Sequence, residues 1–260
     1  MKKYILAILM LVGFSAFAQK ADTLTIVSYN IHHANPPAKP EVIDLDAIAS
    51  VIANENADLV ALQEVDVNVK RSGNINQAEY LAKKLGMHFY FAKAINYKGG
   101  EYGVAVLSKF PIEDKEALKF SRIESRADAE DRVLATITVK LKSGKKIKFA
   151  STHLDQMKDE TLRLVQIAEI EKQAQKEKLP FFVAGDFNAV PTSATIQLLD
   201  KSFTRTCTDC GFTIPIVKPK KTIDFIAYKQ SKKIATLSHQ VIQEHLASDH
   251  LPIVARVVLK

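Results

Sequence analysis

Six apolar segments spread along the chain each carry an amide, a carboxylate or an imidazole at or near one end, and this pattern limits the folds open to it. Asn30 closes the first, in SYNIHH. Gln63-Glu64 close the second, in ALQEV, and His153 closes another, in STHLD. Asp186 and Asn188 come at the end of FFVAGDFNA, Asp224 lies within TIDFIAY, and Asp249-His250 stand in SDHLPI before the last segment. A buried strand that ends in a polar group must deliver that group to a partner or to water, since leaving it unpaired costs about 1–3 kcal/mol. A fold that brings these ends to one edge satisfies them together and builds a pocket of acids, amides and imidazoles.

Hydrophobic spacing sets the elements around these segments. Thr23–Ile31 reads as a strand, and Asp44–Glu55 as a helix with Leu45, Ile48 and Ile52 on one face. Asp58–Val65 is a buried strand and Gln77–Leu85 a second helix. Strands are expected over His88–Ile95, Tyr102–Ser108, Ile112–Leu118, Val133–Leu141 and Lys146–His153. Lys158–Lys178 is the longest helix, with Leu162, Val165 and Ile170 on one side. Phe181–Ala184 is a short apolar strand and a short helix lies near Ala194–Leu199. Thr222–Tyr228, Ile234–Ile242 and Ile253–Leu259 close the chain as strands. Single strands alternating with helices early, then strand pairs, imply an α/β chain of mixed sheets with helices packed outside.

The N-terminus reads as an export leader. Met1-Lys2-Lys3 is basic, Tyr4 to Phe17 is apolar but short for a membrane span, and Ala16-Phe17-Ala18 offers small residues where a signal peptidase cuts. Residues 1–18 are therefore expected to be a signal peptide, with export to the periplasm or beyond; an uncleaved anchor is the alternative. Residues 19–260 are expected to form one domain, because no Gly/Ser linker, repeat or low-complexity tract divides them. No other long hydrophobic segment suggests integral membrane association, and no protein partner is evident. The formal charge of +7 favours encounter with anions, but the lysines are dispersed and lack the aromatic interleaving of a dedicated nucleic-acid stripe. Cys207 and Cys210 form a lone C-x-x-C with no second pair to complete a zinc site. In an oxidising compartment this is expected to be a small loop disulfide, with free thiols the alternative.

Taken singly, the polar strand ends have plain structural readings. Asn30 can bond a loop, Glu64 can cap a turn or pair with Lys70 or Arg71, Asp186 can be a turn residue or helix cap, and His250 can be a satisfied structural histidine. Asp224 is harder to dismiss, since Ile223 and Phe225-Ile226 flank it and a buried charge needs a partner. As a set, SYNIHH, LQEV, YGVAVLSKFPI, STHLD, GDFNA, TIDFIAY and SDHLPI, in this order from about Thr25 to Val258, are similar to the endonuclease/exonuclease/phosphatase superfamily. That superfamily includes DNase I-like nucleases, abasic-site endonucleases, sphingomyelinases and inositol-phosphate phosphatases.

The resemblance implies a DNase I-like four-layer α/β sandwich, two mixed β-sheets packed face to face with helices outside and the active site at one edge. It implies a metal centre at Glu64, with Asn30 beside it and Asp249 close, directly or through water. Hard oxygen ligands there suit Mg2+, or Mn2+. His250 matches the family's essential histidine and Asp224 the acid that orients it. Asp186 matches the residue that aligns or deprotonates the attacking water, which leaves the base open between Asp186 and His250. Asn188 would donate to a phosphate oxygen in the transition state, and His153 occupies a phosphate-contacting position. Arg132 matches a strand-start arginine that meets phosphate, a surface pair with Glu130 being the alternative. Arg71 is placed to reach the pocket mouth, and Tyr102 to bond within the site or pack over it. Arg163 and Gln166 are expected to brace their helix.

The implied reaction is hydrolysis of a phosphodiester or phosphomonoester by metal-assisted water, on a fold that hosts many substrates. KRSGNINQ and the arginine-bearing helix after THLD look most like a bacterial secreted branch of metal-dependent hydrolases. A secreted nonspecific DNase acting on nucleic acid fits export and charge but lacks a basic, aromatic-bearing insertion. A sphingomyelinase-like enzyme needs an exposed apolar hairpin, for which Gly211–Val217 (GFTIPIV) is the nearest candidate. A non-enzymatic binding module on the same scaffold would bind without turnover, and the filled polar positions speak against it.

Overall fold

A computed structural model describes residues 21–260; the expected signal peptide, residues 1–18, lies outside the described residues. Twelve strands and four α-helices follow in the order β1 (Asp22–Asn30), α1 (Leu45–Asn54), β2 (Leu59–Val67), α2 (Gln77–Leu85), β3 (His88–Tyr97), β4 (Gly100–Ser108), β5 (Ile112–Lys119), β6 (Val133–Lys140), β7 (Lys146–His153), α3 (Thr161–Lys176), β8 (Phe181–Asp186), α4 (Ala194–Leu199), β9 (Phe203–Arg205), β10 (Asp224–Lys229), β11 (Ile234–Val241) and β12 (Ile253–Leu259). Side chains start the helices where the sequence offers them. Asp44 accepts from Ala47 N at 2.9 Å to open α1, and Asn76 accepts from Glu79 N at 3.1 Å to open α2. Gly86 (φ 65) ends α2 in the left-handed conformation that glycine adopts freely.

The strands form two six-stranded sheets, ordered β11-β12-β1-β2-β4-β3 and β5-β6-β7-β8-β10-β9. Each is antiparallel except at its centre, where β1 runs parallel to β2 and β7 parallel to β8. Each parallel pair is joined through a helix, α1 or α3, as a parallel crossover requires. Both sheets then follow one plan, an antiparallel pair flanking each side of a parallel centre. The C-terminal ends of β1 and β2 in one sheet and of β7 and β8 in the other are equivalent places, and they carry Asn30, Gln63-Glu64, His153 and Asp186.

Three apolar layers hold the sandwich. Between the sheets lie Leu24, Ile26, Ala61, Ile137, Phe149, Phe182 and Ile226 among others. Alternation along each strand turns the neighbouring residues outward, where Val27, Tyr29, Val60 and Leu62 meet Ile48, Ile52 and Leu81 of α1 and α2. On the far side Ala150, Phe181, Val183 and Phe225 meet Ile167, Ile170, Ile196 and Leu199 of α3 and α4. The result is the four-layer α/β sandwich with helices outside. Each fully buried Leu, Ile or Phe contributes roughly 1.5–3 kcal/mol. A polar tie also crosses between the sheets: the Ser151 hydroxyl donates to Leu62 O at 3.1 Å and receives Gln63 Nε2 at 3.2 Å.

Several boundaries differ from the sequence expectation. The strands β3 and β4 run on to meet in a two-residue turn, Lys98-Gly99, with φ of 43° and 87°, the geometry of a tight hairpin. The strand β8 extends to Asp186, and β10 begins at Asp224, so this carboxylate opens its strand instead of lying within it. The three-residue edge strand β9 is too short to show alternation. Cys207 and Cys210 are disulfide-bonded, with Cα atoms 5.1 Å apart, in the connection between β9 and β10. Among the described residues no helix is long and apolar enough to cross a membrane.

Candidate active site

Strand register brings the polar ends together. Asn30 lies beside Gln63 across the β1–β2 pair, and His153 beside Asp186 across β7–β8. Asp186 also faces Asp224 across β8–β10. Glu64 is aimed by a bulge. Pairing of β2 with β4 passes from Leu62↔Ala105 to Val65↔Gly103, leaving Gln63 and Glu64 opposite one residue. Glu64 takes φ +58 there, a left-handed conformation unfavourable for a side chain other than glycine. Gln63 thereby keeps the fully buried inter-sheet position, and the Glu64 carboxylate turns toward the edge.

Asn30 links the halves. Its Nδ2 donates to Glu64 Oε1 and to Asp186 Oδ2, each at 3.1 Å, while its Oδ1 accepts from His32 N at 3.1 Å. Around Asp186 stand two histidines, His153 Nε2 at 3.5 Å and His250 Nε2 at 3.6 Å from Oδ2. His250 Nδ1 is held by Asp224 at 3.0 and 3.2 Å from its two oxygens, which supplies the partner the Asp224 charge requires. Asn188 (φ +48) donates its backbone N–H to Asp186 Oδ1 at 2.8 Å and its side-chain amide to Leu154 O at 3.0 Å. The Ser248 hydroxyl donates to Asn30 O at 2.7 Å, fastening the segment that carries Asp249 and His250 to the end of β1. Asp249 itself stays partly exposed beside Ser248 and contributes negative charge near His250.

Burial and charge set proton affinities. Burial disfavours charge on His250, but Asp224 first and Asp186 second outweigh it and push its proton affinity up. Asp186 is pushed up by burial and then by Asp224, against the pull of His250. His153 is driven well below the ordinary range by burial and by the Arg132 guanidinium. Arg132 Nη1 is 3.3 Å from His153 Nδ1; since arginine only donates, Nδ1 is the acceptor and Nε2 carries the proton toward Asp186. Burial would raise Glu64, yet the neighbouring His33 and the Asn30 amide, among others, hold it far below the usual carboxylate range.

The expected substrate-binding residues form one wall. Arg132 is buried and pairs with Glu130 at 2.7 Å, so the ion pair and the approach to the site coexist. Arg71 bonds both oxygens of buried Asp66 at 2.8 and 2.9 Å and does not pair with Glu64. Its guanidinium lies 4.5 Å from the centre of the Tyr97 ring and 5.7 Å from that of Tyr102, a stacked arrangement worth about 0.5–1 kcal/mol or more. Glu64, Arg71, Tyr97, Tyr102 and Glu130 line a cavity of about 120 Å3. Arg163 donates to Asp155 O and Met157 O, and Gln166 accepts from Asp155 N, so both brace the loop after β7. Tyr97, Ser248, Asp66 and the pair His32-His33 were not assigned from sequence. Two adjacent histidines one residue beyond a strand-end asparagine were the available signal for the last.

The donor set fits a divalent cation at Glu64. One ligand atom from each of His32, His33 and Glu64 lies within 4.8 Å of the others, and the same holds for Asp186, Asp224 and His250. The second group satisfies itself through the His250–Asp224 hydrogen bonds. The first does not: His33 Nδ1 is sealed from solvent with no hydrogen-bond partner, 4.0 Å from Glu64 Oε2.

Comparison with known proteins agrees with this fold. The family model described as Endonuclease/Exonuclease/phosphatase family matches residues 27–250. The uncharacterized protein YbhP of Escherichia coli K12 is 29% identical over 249 residues, covering 90% of this chain and 96% of that protein. An endonuclease/exonuclease/phosphatase family protein of Bacteroides thetaiotaomicron superposes with TM-score 0.77 at 18% identity, over 93% of this chain and 99% of that one. The mannosyl-6-phosphatase of the same organism gives TM-score 0.73 at 18% identity, over 91% and 100% of the two chains. From the match across residues 27–250 and the shared sandwich, the chain belongs to the endonuclease/exonuclease/phosphatase family, whose members hydrolyse phosphoric esters.

Proposed function

We propose that this protein is a metal-dependent phosphoesterase that hydrolyses a phosphate ester with water at the edge shared by the two sheets. The observation that carries this reading is the buried constellation of Asn30, His153, Asp186 and His250, tied to Glu64 through Asn30. Glu64 would hold a divalent cation, which when bound supplies Lewis-acid stabilisation of charge on the phosphoryl oxygens. His250 keeps its proton through Asp224 and presents positive charge to the reacting phosphoryl group. Asp186, with raised proton affinity and hydrogen bonds from Asn30 and the Asn188 backbone, orients the attacking water and accepts its proton. His153, neutral and with its Nε2 proton facing the site, and Asn188, with a second amide proton not used on Leu154, donate to phosphoryl oxygens as charge builds.

The cleft beside Glu64 offers the Arg71 guanidinium and the Tyr97 and Tyr102 side chains to a substrate. The similarity to a mannosyl-6-phosphatase favours a small polar ester over a duplex as the substrate. Export belongs to the same reading: the leader expected at residues 1–18 and the Cys207–Cys210 disulfide suit an oxidising compartment.

The test is a hydrolysis panel with the untagged chain from Gln19, with divalent metal or with EDTA. It holds sugar phosphates, inositol phosphates, bis(4-nitrophenyl) phosphate, plasmid DNA, RNA and sphingomyelin vesicles. EDTA-sensitive turnover, highest on the small esters, is expected. Preference for DNA or sphingomyelin would overturn the small-ester reading, and no turnover on any phosphate ester would overturn the function.

A further inference from the structure

The turn after Asn30 has a conformation that the hydrolytic roles above leave unexplained. Three consecutive non-glycine residues, His32 (φ 45), His33 (φ 43) and Ala34 (φ 60), lie in the left-handed region, where each Cβ crowds the following carbonyl. The turn is held from three sides. Asn30 Oδ1 accepts from His32 N at 3.1 Å, the buried Gln77 side chain donates to His33 O at 2.7 Å, and Asp44 N donates to Ala34 O at 2.7 Å. In an extended strand adjacent side chains point to opposite faces; here both imidazoles come to Glu64, with ligand atoms of all three within 4.8 Å.

The individual atoms suit ligation. His32 Nδ1 is 2.9 Å from Asn35 O, an oxygen that can only accept, so Nδ1 carries the proton and Nε2 offers a lone pair. A ring N–H bonded to a backbone carbonyl is the usual support of a metal-ligating histidine. His33 Nδ1 is buried without a partner and lies 4.0 Å from Glu64 Oε2, too far for a hydrogen bond. A cation held by both would satisfy the two atoms together. Asn30 turns its amide nitrogen to Glu64 and commits its oxygen to His32 N. That oxygen keeps a second lone pair, so Asn30 stays available to the cation beside the two histidines.

We infer that His32, through Nε2, and His33, through Nδ1, join Glu64 as ligands of the divalent cation. The centre then selects a borderline transition-metal ion of the cobalt, zinc or iron(II) class over Mg2+. Imidazole suits such ions, whereas Mg2+ takes hard oxygens and keeps its waters. This inference rests on the metal centre proposed above.

The test loads the untagged chain from Gln19 with Co2+ and records proton NMR in water, alongside calorimetric titrations with Co2+ and Mg2+. Two hyperfine-shifted, exchangeable imidazole N–H signals are expected. The signal from His32 should exchange more slowly because Asn35 O holds its proton. His33→Gln should remove one signal and weaken Co2+ at least about tenfold, with Mg2+ changed by less than about threefold. His33→Gly guards against misfolding. Glycine accepts the left-handed backbone, so the metal-free Tm should not fall, while Co2+ affinity drops as for His33→Gln. Absence of shifted N–H signals in the wild type, or Co2+ affinity unchanged in both variants, would overturn the inference. Turnover supported by Mg2+ together with absent imidazole signals would sink this assignment and leave the phosphoesterase reading standing. Imidazole signals without turnover on any phosphate ester would do the reverse.

Discussion

Asp224 and His250 show how one strand-end residue sets the chemistry of another. Burial alone would strip His250 of its proton, and the Asp224 carboxylate, bonded to Nδ1 at 3.0 Å, reverses that. Asp224→Asn is therefore expected to lower the pH at which His250 loses its proton, which histidine-ring 15N NMR titration reads directly; an unchanged titration would show that Asp224 does not govern it. Arg71 makes a comparable case for substrate contact. It is fixed by two bonds to Asp66 and stacked against Tyr97 and Tyr102, geometry that a lysine ammonium cannot reproduce. Arg71→Lys is expected to raise KM on the best panel substrate about tenfold with little change in kcat, the signature of lost binding common to ground and transition states. Residue identity made Asp224 conspicuous, because a charge amid Ile223, Phe225 and Ile226 needs a partner. It did not reveal that Arg71 would choose Asp66 over Glu64. Val65 and Asp66 follow the bulge that re-aims Glu64, and their contacts depend on it.

At the scale of elements, the site depends on close approach between central strands. Gly185 pairs with Thr152 in the parallel β7–β8 centre, and a Cβ built on it would lie 2.0 Å from Thr152 O. That contact involves backbone and cannot be relieved by a side-chain rotation. Gly185→Ala is expected to destabilise the fold by about 1–3 kcal/mol or more, measured by urea unfolding, and to disturb His153 and Asp186 together. A loss below about 0.5 kcal/mol, the scale of an ordinary surface change, would mean the pair can separate at little cost. Most elements were legible because their apolar spacing is regular: α2, β7 and β12 begin and end where the sequence places them. The exceptions have local causes. The β3–β4 hairpin closes on Lys98-Gly99, where a lysine takes a positive φ usually left to Asn, Asp or Gly. The bulge at Gln63-Glu64 contains no glycine to announce it, and β9 is defined by pairing with β10 instead of by its own pattern.

For the whole molecule, the common plan of the two sheets explains why residues far apart in sequence meet. Equivalent parallel pairs end at the same edge, so Asn30 reaches Asp186 across 156 positions, and the set of strand-end polar groups was the readable sign of it. Folding also fixes groups away from the site. Burial holds His239, whose Nδ1 is 2.8 Å from Thr206 Oγ1, down at about 4 from its ordinary 6.5. As pH falls through that window the unfolded chain takes up a proton that the folded chain refuses, so stability is lost from above 6.5 toward 4. His239→Gln should lose less stability than the wild type between pH 7.5 and about 4.5, compared by urea midpoints; parallel losses would contradict the assignment. The convergence of the strand ends into a phosphoesterase centre is tested most directly by kcat/KM of the wild type and of His250→Ala on the best panel substrate. Circular dichroism and metal titration would show that the variant is folded and binds its cation. A fall of about 10³-fold is expected on removal of a general acid–base or charge-stabilising group. A folded, metal-binding variant within about threefold of the wild type would contradict the placement of the active site at this edge.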